Sequence, residues 1–253
     1  MGRTLTLPNA RLTAAARTAA AVFLEQGNPA PRTAIDVGCD HAKLAVYLVQ
    51  SGICDAVLAT DIGAGPLAVA EQTLATRTVR GRPLAEHIRL KQNDGLCGLE
   101  DEKADAVFIL GMGGELIADI LSRADTFVKA HPQTVYVLQA MTSDNDLREY
   151  LYAGGFAVMR EVPVVDKGRP YSLIVCKYDG VSRDFTPFDV WVGEHYAKQP
   201  TGEALPYLKR KMRILTKLTA DLKKAGKPHT DENAALAQLT TIAAKLEKGG
   251  ATP

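Results

Sequence analysis

No apolar run in the chain approaches the length of a membrane span, and the amino terminus carries no secretory pattern. A cytoplasmic protein without membrane contact is expected. Cysteine is sparse: Cys39, Cys54, Cys97 and Cys176 stand far apart, with no Cys-x-x-Cys and no histidine at a ligand spacing. That argues against a zinc ribbon or a disulfide framework, and four buried thiols are the expectation. The five histidines are equally scattered, so no metal is expected. The chain also lacks internal repeats and low-complexity segments. A net charge of +1 hides an uneven balance. From Arg183 to the end there are 12 basic against 8 acidic residues, and before it 18 against 21. A basic tail on a slightly acidic body is a clue to partners rather than to fold.

With 253 residues, 46% hydrophobic and 23% charged, the chain can bury a large core in one or two domains. The stretch that organises it is Ala34-Ile-Asp-Val-Gly-Cys-Asp-His-Ala-Lys-Leu44. It reads as a buried strand from Thr33 to Val37, a tight turn at Gly38, and a helix opening near Asp40 and running to Gln50. In a doubly wound α/β domain the first strand–helix turn borders the ligand crevice. The dinucleotide fingerprint Gly-x-Gly-x-x-Gly is absent, because Asp40 and Lys43 occupy its second and third glycine places. Charge and bulk there disfavour a pyrophosphate. S-adenosylmethionine (SAM), with no phosphates and with a sulfonium and an ammonium, suits the acidic turn better. The plainer alternative is that Asp40 only caps the following helix.

Ala56 to Asp61 reads as a second buried strand, its terminal carboxylate placed for ribose hydroxyls. A helix from about Leu67 to Thr78 follows. Ile88 to Gly95 is a third strand with its turn, where Asp94 either accepts from an adenine amine or closes an Asx turn. Ala104 to Leu110 is a fourth strand, stopping at Gly111-Met-Gly-Gly114. Three glycines in four residues imply close backbone approach, by a packed helix or by a flat ligand. Thr134 to Ala140 is a fifth strand, followed by a helix from about Asn145 to Ala153. Phe156 to Val165 and Tyr171 to Tyr178 pair as a hairpin. The amino-terminal segment Asn9 to Glu25 reads as a helix with Leu12, Ala15, Ala16, Ala19, Val22 and Phe23 on one face and Arg11 and Arg17 elsewhere.

Past Asp179 the pattern is wholly helical: Phe188 to Ala197, Glu203 to Ala225, and Asp231 to Lys248 after a Gly226-Lys-Pro228 turn. The expected division is residues 1–180 as a SAM-binding methyltransferase domain and 181–253 as a coiled-coil-like antiparallel helical hairpin. Between Glu203 and Lys227 stand 8 basic residues against 2 acidic ones, which predicts a cationic ridge suited to a polyanion or merely a solvated face.

In this order the pieces resemble the bacterial tRNA (adenine-22-N1)-methyltransferase family, TrmK. The resemblance rests on Arg11-Leu12, Asp36-x-Gly-x-Asp-His-Ala42, Gly65-Pro66, Asp94-Gly95-Leu96, Gly111-Met-Gly-Gly114 and Tyr171, spanning residues 5 to about 178. The family pattern has a tyrosine where this chain has Lys43, a proline at Ala45, a polar residue at Gly63 and a Pro-Asn pair at Ala140-Met141. The resemblance implies a Rossmann-like α/β fold and methyl transfer from SAM to N1 of an adenine in tRNA. It places Asp36, Gly38, Asp40, His41, Asp61, Ile62, Asp94, Gly95 and Gly111 around the cofactor. Asp40 is the catalytic candidate, stabilising the charge that develops on the ring, or else contacting the SAM amino group. Arg11, Met112, Gly113, Gly114 and Tyr171, with Lys209, Arg210, Arg213 and Lys217 on the ridge, would face the tRNA. A monomer is expected, with pairing of two helical hairpins as the alternative. The competing readings are a SAM methyltransferase for another RNA, a protein or a small molecule, and a non-catalytic RNA-binding protein on the same fold.

Overall fold

A computed structural model describes residues 9–28 and 30–249. Residues 5–8, where the resemblance begins, and Pro29 lie outside the described residues. In chain order the elements are α1 (Ala10–Glu25), β1 (Thr33–Val37), α2 (Lys43–Gln50), β2 (Ala56–Asp61), α3 (Ala64–Thr76), β3 (Thr78–Val79), β4 (Arg82–Pro83) and β5 (Ile88–Gln92). There follow β6 (Ala106–Gly113), α4 (Gly114–Arg123), α5 (Asp125–Ala130), β7 (Val135–Thr142), α6 (Asp144–Ala153), β8 (Phe156–Asp166) and β9 (Arg169–Tyr178). The chain ends in α7 (Pro187–Trp191), α8 (Glu194–Lys198), α9 (Leu205–Lys224) and α10 (Thr230–Gly249).

Seven strands form one sheet in the order β5-β2-β1-β6-β7-β9-β8. The first five are parallel, and β9 inserts antiparallel between β7 and β8. Alternation along the strands sends side chains to opposite faces. Ala34, Phe108 and Val137 join one apolar layer with residues of α1 and α2, while Ile35, Val107 and Tyr136 join the other with α4 and α6. The chain steps from β1 outward to β2 and β5, then crosses back to β6 on the other side of β1. That reversal opens a crevice at the carboxyl ends of β1 and β6.

Several boundaries differ from the sequence reading. Helix α2 begins at Lys43, not Asp40, because Gly38, Asp40 and Ala42 all have positive φ and cannot start a right-handed helix. Asp40 is therefore not an N-cap. Strand β6 runs through Gly111 to Gly113, with two register shifts, since Met112 and Gly113 still pair with Ala140 and Thr142. Helix α3 starts at Ala64, with Pro66 tolerated in its first turn, where its missing N–H costs nothing. The small β3–β4 hairpin is an addition. The predicted helix from Phe188 to Ala197 is two, α7 and α8, broken at Gly193, whose φ is +116°.

The carboxy-terminal helices share a third apolar cluster, including Phe188, Tyr207, Leu215 and Leu239. Among the described residues no helix is long and apolar enough to cross a membrane. All four cysteines are free thiols, three buried and Cys97 half-buried.

Candidate active site

A cavity of about 510 Å³ lies at the carboxyl ends of the parallel strands. Its wall takes Asp36 to Asp40 from β1 and its turn, Asp61 and Ile62 from β2, Asn93 to Gly95 from β5, and Leu110 to Met112 from β6. Arg11 reaches it from α1. The switch point of the sheet and eight of the nine predicted cofactor residues, all but His41, thus meet in one place.

Asp36 is the next-to-last residue of β1, buried in the sheet at 4% exposure, and its Oδ2 has no hydrogen-bond partner among the described residues. Burial raises its pKa to about 7. The Ala45 backbone N–H pulls the other way, and the neighbouring charges of Asp61 and Asp40 add to the rise. A buried carboxyl with a free oxygen beside two further acids is a wall built for a cation. Asp61 is fixed by backbone donors: Gly63 donates to Oδ1 at 2.9 Å and Asp40 N–H to Oδ2 at 3.2 Å. Each oxygen keeps a further lone pair for a ligand hydroxyl.

Gly38 has φ +68°, and a Cβ there would lie 2.1 Å from the Met112 methyl. The bare backbone lets Met112 lean across the turn. Asp40 is 60% exposed and receives a hydrogen bond from Lys43 Nζ at 2.6 Å. Partial burial raises its pKa, but the Lys43 bond and charge outweigh that and hold it below the usual carboxylate range. His41 lies 3.4 Å from Asp40 and does not line the cavity. Ile62 is 70% exposed at the mouth.

Asp94 is held by a residue the sequence did not single out. Arg123 of α4 binds it with both nitrogens, at 2.9 and 3.1 Å, and also reaches Asp119 at 2.8 Å. The Arg123 hydrogen bonds keep the Asp94 pKa low. Asn93 supports the same turn through the carbonyls of Gly95 and Cys97.

The glycine triplet divides. Gly111, with φ +82°, lines the cavity, and a Cβ there would sit 3.4 Å from Arg11 Nη1. Gly113 and Gly114 lie outside it. Gly114 packs against backbone, since its Cβ would meet the Ser143 carbonyl oxygen at 1.9 Å.

Arg11 donates to Asp166 at 3.1 Å and to buried Gln139 at 2.5 Å. Its guanidinium lies 5.5 Å from the Tyr171 ring centre, and Arg210 lies 5.3 Å from the same ring. Tyr171 is 4% exposed and does not line the cavity. Gln139 and Asp166 carry no sequence signal for this role; Asp166 falls just past the predicted strand Phe156 to Val165 and is the last residue of β8.

The predicted ridge is thinner than its eight cations. Lys211 is 2% exposed and ion-paired to Asp144, Arg210 is bound to backbone carbonyls, and Lys209 pairs with Glu247 at 2.7 Å. Arg213 and Lys217 are exposed, as is Arg17 on α1.

The parallel sheet, its antiparallel insertion and this cavity define a Rossmann-like SAM-methyltransferase fold. Residues 34–248 match the family profile described as TrmK, tRNA (adenine(22)-N(1))-methyltransferase, and the chain belongs to that family. Over 154 residues it is 34% identical to a Bacillus subtilis protein described as tRNA (adenine(22)-N(1))-methyltransferase, covering 58% of this chain and 62% of the relative. The match therefore spans less than two thirds of that relative's length. In structure it resembles the B. subtilis M1A22 tRNA methyltransferase TrmK, with a TM-score of 0.71, 24% identity, and coverage of 96% and 98% of the two chains. It also resembles M. capricolum TrmK in complex with S-adenosyl-homocysteine, with a TM-score of 0.66, 20% identity, and coverage of 96% and 98%.

Proposed function

We propose that this protein transfers a methyl group from SAM to N1 of an adenine in tRNA, at position 22. The observation that carries the reading is the acidic cavity at the switch point, with the unpartnered oxygen of Asp36 inside it, in a chain that belongs to this family. The residues present suit the cofactor. Asp36 would face its positive charges, Asp61 its ribose, Ile62 the flat face of its base, and Asp94 the exocyclic amine. Four carboxylates on the wall disfavour a phosphate-bearing dinucleotide.

Bound there, SAM supplies an electrophilic methyl group on a sulfonium. Adenine N1 brings its own lone pair, so no strong general base is required. The work of this chain is to hold the base edge in line, exclude water, and offset the positive charge that develops on the ring. Asp40, exposed and kept ionised by Lys43, would do the last. N1 lies on the Watson–Crick edge, so a paired or stacked target must be exposed first. In this reading residues 1–180 carry the chemistry and 181–253 hold tRNA phosphates through Arg213 and Lys217, with Arg17 from α1. The test is incubation of purified protein with labelled SAM and unmodified bulk tRNA, then nucleoside analysis. Label in 1-methyladenosine supports the reading. Bound SAM with no transfer to tRNA would move the activity to another substrate, and no SAM binding would overturn the assignment of the cavity.

A further inference from the structure

Two adjacent residues of α9 reach the same short segment of the sheet domain. Met141-Thr142-Ser143-Asp144 joins β7 to α6 just behind the cavity wall, where Arg11, which lines the cavity, donates to the Met141 sulfur at 3.4 Å. Arg210 donates to the Met141 carbonyl at 3.3 Å and the Pro170 carbonyl at 2.8 Å. Lys211 donates to Asp144 Oδ1 at 2.8 Å. The other Asp144 oxygen accepts from Tyr207 at 2.8 Å and from Arg148 at 3.1 Å, and Arg148 goes on to Glu161 at 2.8 Å. Arg148 is fully buried and Lys211 nearly so.

Burying three charges around a half-buried Asp144 is an expensive way to hold a helix, and apolar residues of similar volume could do it as well or better. What a carboxylate with three fixed donors adds is a single geometry. The same segment is held on its other side by α4, where Gly114 packs on the Ser143 backbone. Between these supports Thr142 is exposed, beside Gly113. On α9, Arg213 and Lys217 lie three and seven residues beyond Arg210, on the same helical face. One helix thus carries the exposed cations at one point and grips the segment behind the cavity-lining Arg11 at another.

We propose that Arg210 and Lys211 are positioning residues that fix the 141–144 segment, and through Met141 the cavity-lining Arg11, on the target-base side of the active site, tying the helix that docks tRNA to the site that receives the adenine. This rests on the function proposed above. Burial and pairing of Lys211 remove it from the phosphate-binding surface, and the role of Arg210 becomes mechanical.

The test compares wild type with the double variant Lys211→Met/Asp144→Asn and with Arg210→Gln. The double variant removes one charge of each sign, so Arg148 and Glu161 stay balanced. Replacement of Arg210, which is only partly buried, leaves no buried charge behind. For each, SAM affinity, tRNA affinity, kcat and amide hydrogen exchange of residues 141–146 are measured. The expected result is SAM and tRNA affinities within about twofold of wild type, exchange at least tenfold faster in the segment, and kcat reduced at least tenfold. Faster exchange with kcat unchanged would overturn the proposal. So would a fall in tRNA affinity with kcat intact for Arg210→Gln, which would return that residue to phosphate binding. Should the double variant not fold, the Arg210→Gln result decides alone. Absence of tRNA methylation by wild type would instead strike the proposed function, and the two failures are thereby separated.

Discussion

The sharpest consequence of the cavity concerns Asp36→Asn. Burial raises the Asp36 pKa from an ordinary 3.8 to about 7. At about 1.4 kcal/mol per pKa unit, the ionised carboxyl costs the empty protein on the order of 4 kcal/mol. The sign follows from the direction of the shift. A carboxyl whose folded pKa is raised contributes its full stability below the unfolded value. That contribution is lost as pH climbs through the folded value, here between about 4 and 7. Asp36→Asn should therefore stabilise the ligand-free protein at pH 8. If half the figure is realised, the gain is about 4–8 °C in Tm for a chain of this size. At pH 4.5, where Asp36 is already protonated, the gain should shrink to about 1 °C. SAM binding should respond in the opposite sense. The variant should lose about 100-fold in affinity, as expected for removing one partner of a buried charge contact. Wild-type affinity should fall nearly tenfold per pH unit below 7, with a proton released on binding. Titration from pH 7.5 downward keeps most of the ligand's α-amino group protonated. The assays are calorimetric binding and thermal denaturation across pH. The reasoning is refuted if the variant is no more stable than wild type at pH 8, or if wild-type affinity is flat from pH 7.5 to 5.5.

Three further outcomes follow from the geometry. Asp40→Asn should reduce kcat about 100-fold with SAM affinity nearly unchanged, measured by single-turnover transfer and equilibrium binding; loss of SAM binding instead would assign Asp40 to the cofactor. Gly114→Ala drives a Cβ to 1.9 Å from the Ser143 carbonyl oxygen, a backbone atom that cannot swing aside. It should destabilise by about 3 kcal/mol, or about 6–12 °C in Tm by calorimetry, and a change under 2 °C would contradict the packing argument. Arg213→Ala and Lys217→Ala should each lower the slope of log affinity for tRNA against log salt by about one, and Lys209→Ala, already paired with Glu247, by less.

Much of this is legible in the amino-acid sequence. Apolar runs ending in an acid or a glycine marked β1, β2 and β6, and their tips converge on one cavity because the sheet reverses between β1 and β6. What escaped reading depends on long-range partners or on backbone geometry without a sequence signature. Asp40 resembles a helix cap, and nothing in the letters announces that Ala42 takes a positive φ and delays α2. Phe188, Val192 and Tyr196 keep a helical spacing across the break at Gly193 and so conceal it. Lys211 reads as one more surface cation until Asp144, 67 positions earlier, is placed beneath it. Asp94 and Arg123 pair across 29 positions, and only the folded turn brings them together. The glycine triplet invited a ligand explanation. One of its members, Gly114, instead answers to close packing between α4 and the end of β7.

Methylation of adenine 22 of tRNA at N1 is the activity proposed for this chain. The most direct measurement is methyl transfer to two transcripts of one tRNA, one with adenine at position 22 and one with guanine there. The account predicts one methyl group per molecule in the first, recovered as 1-methyladenosine, and none in the second. Equal labelling of both transcripts, or label in any other nucleoside, would contradict it.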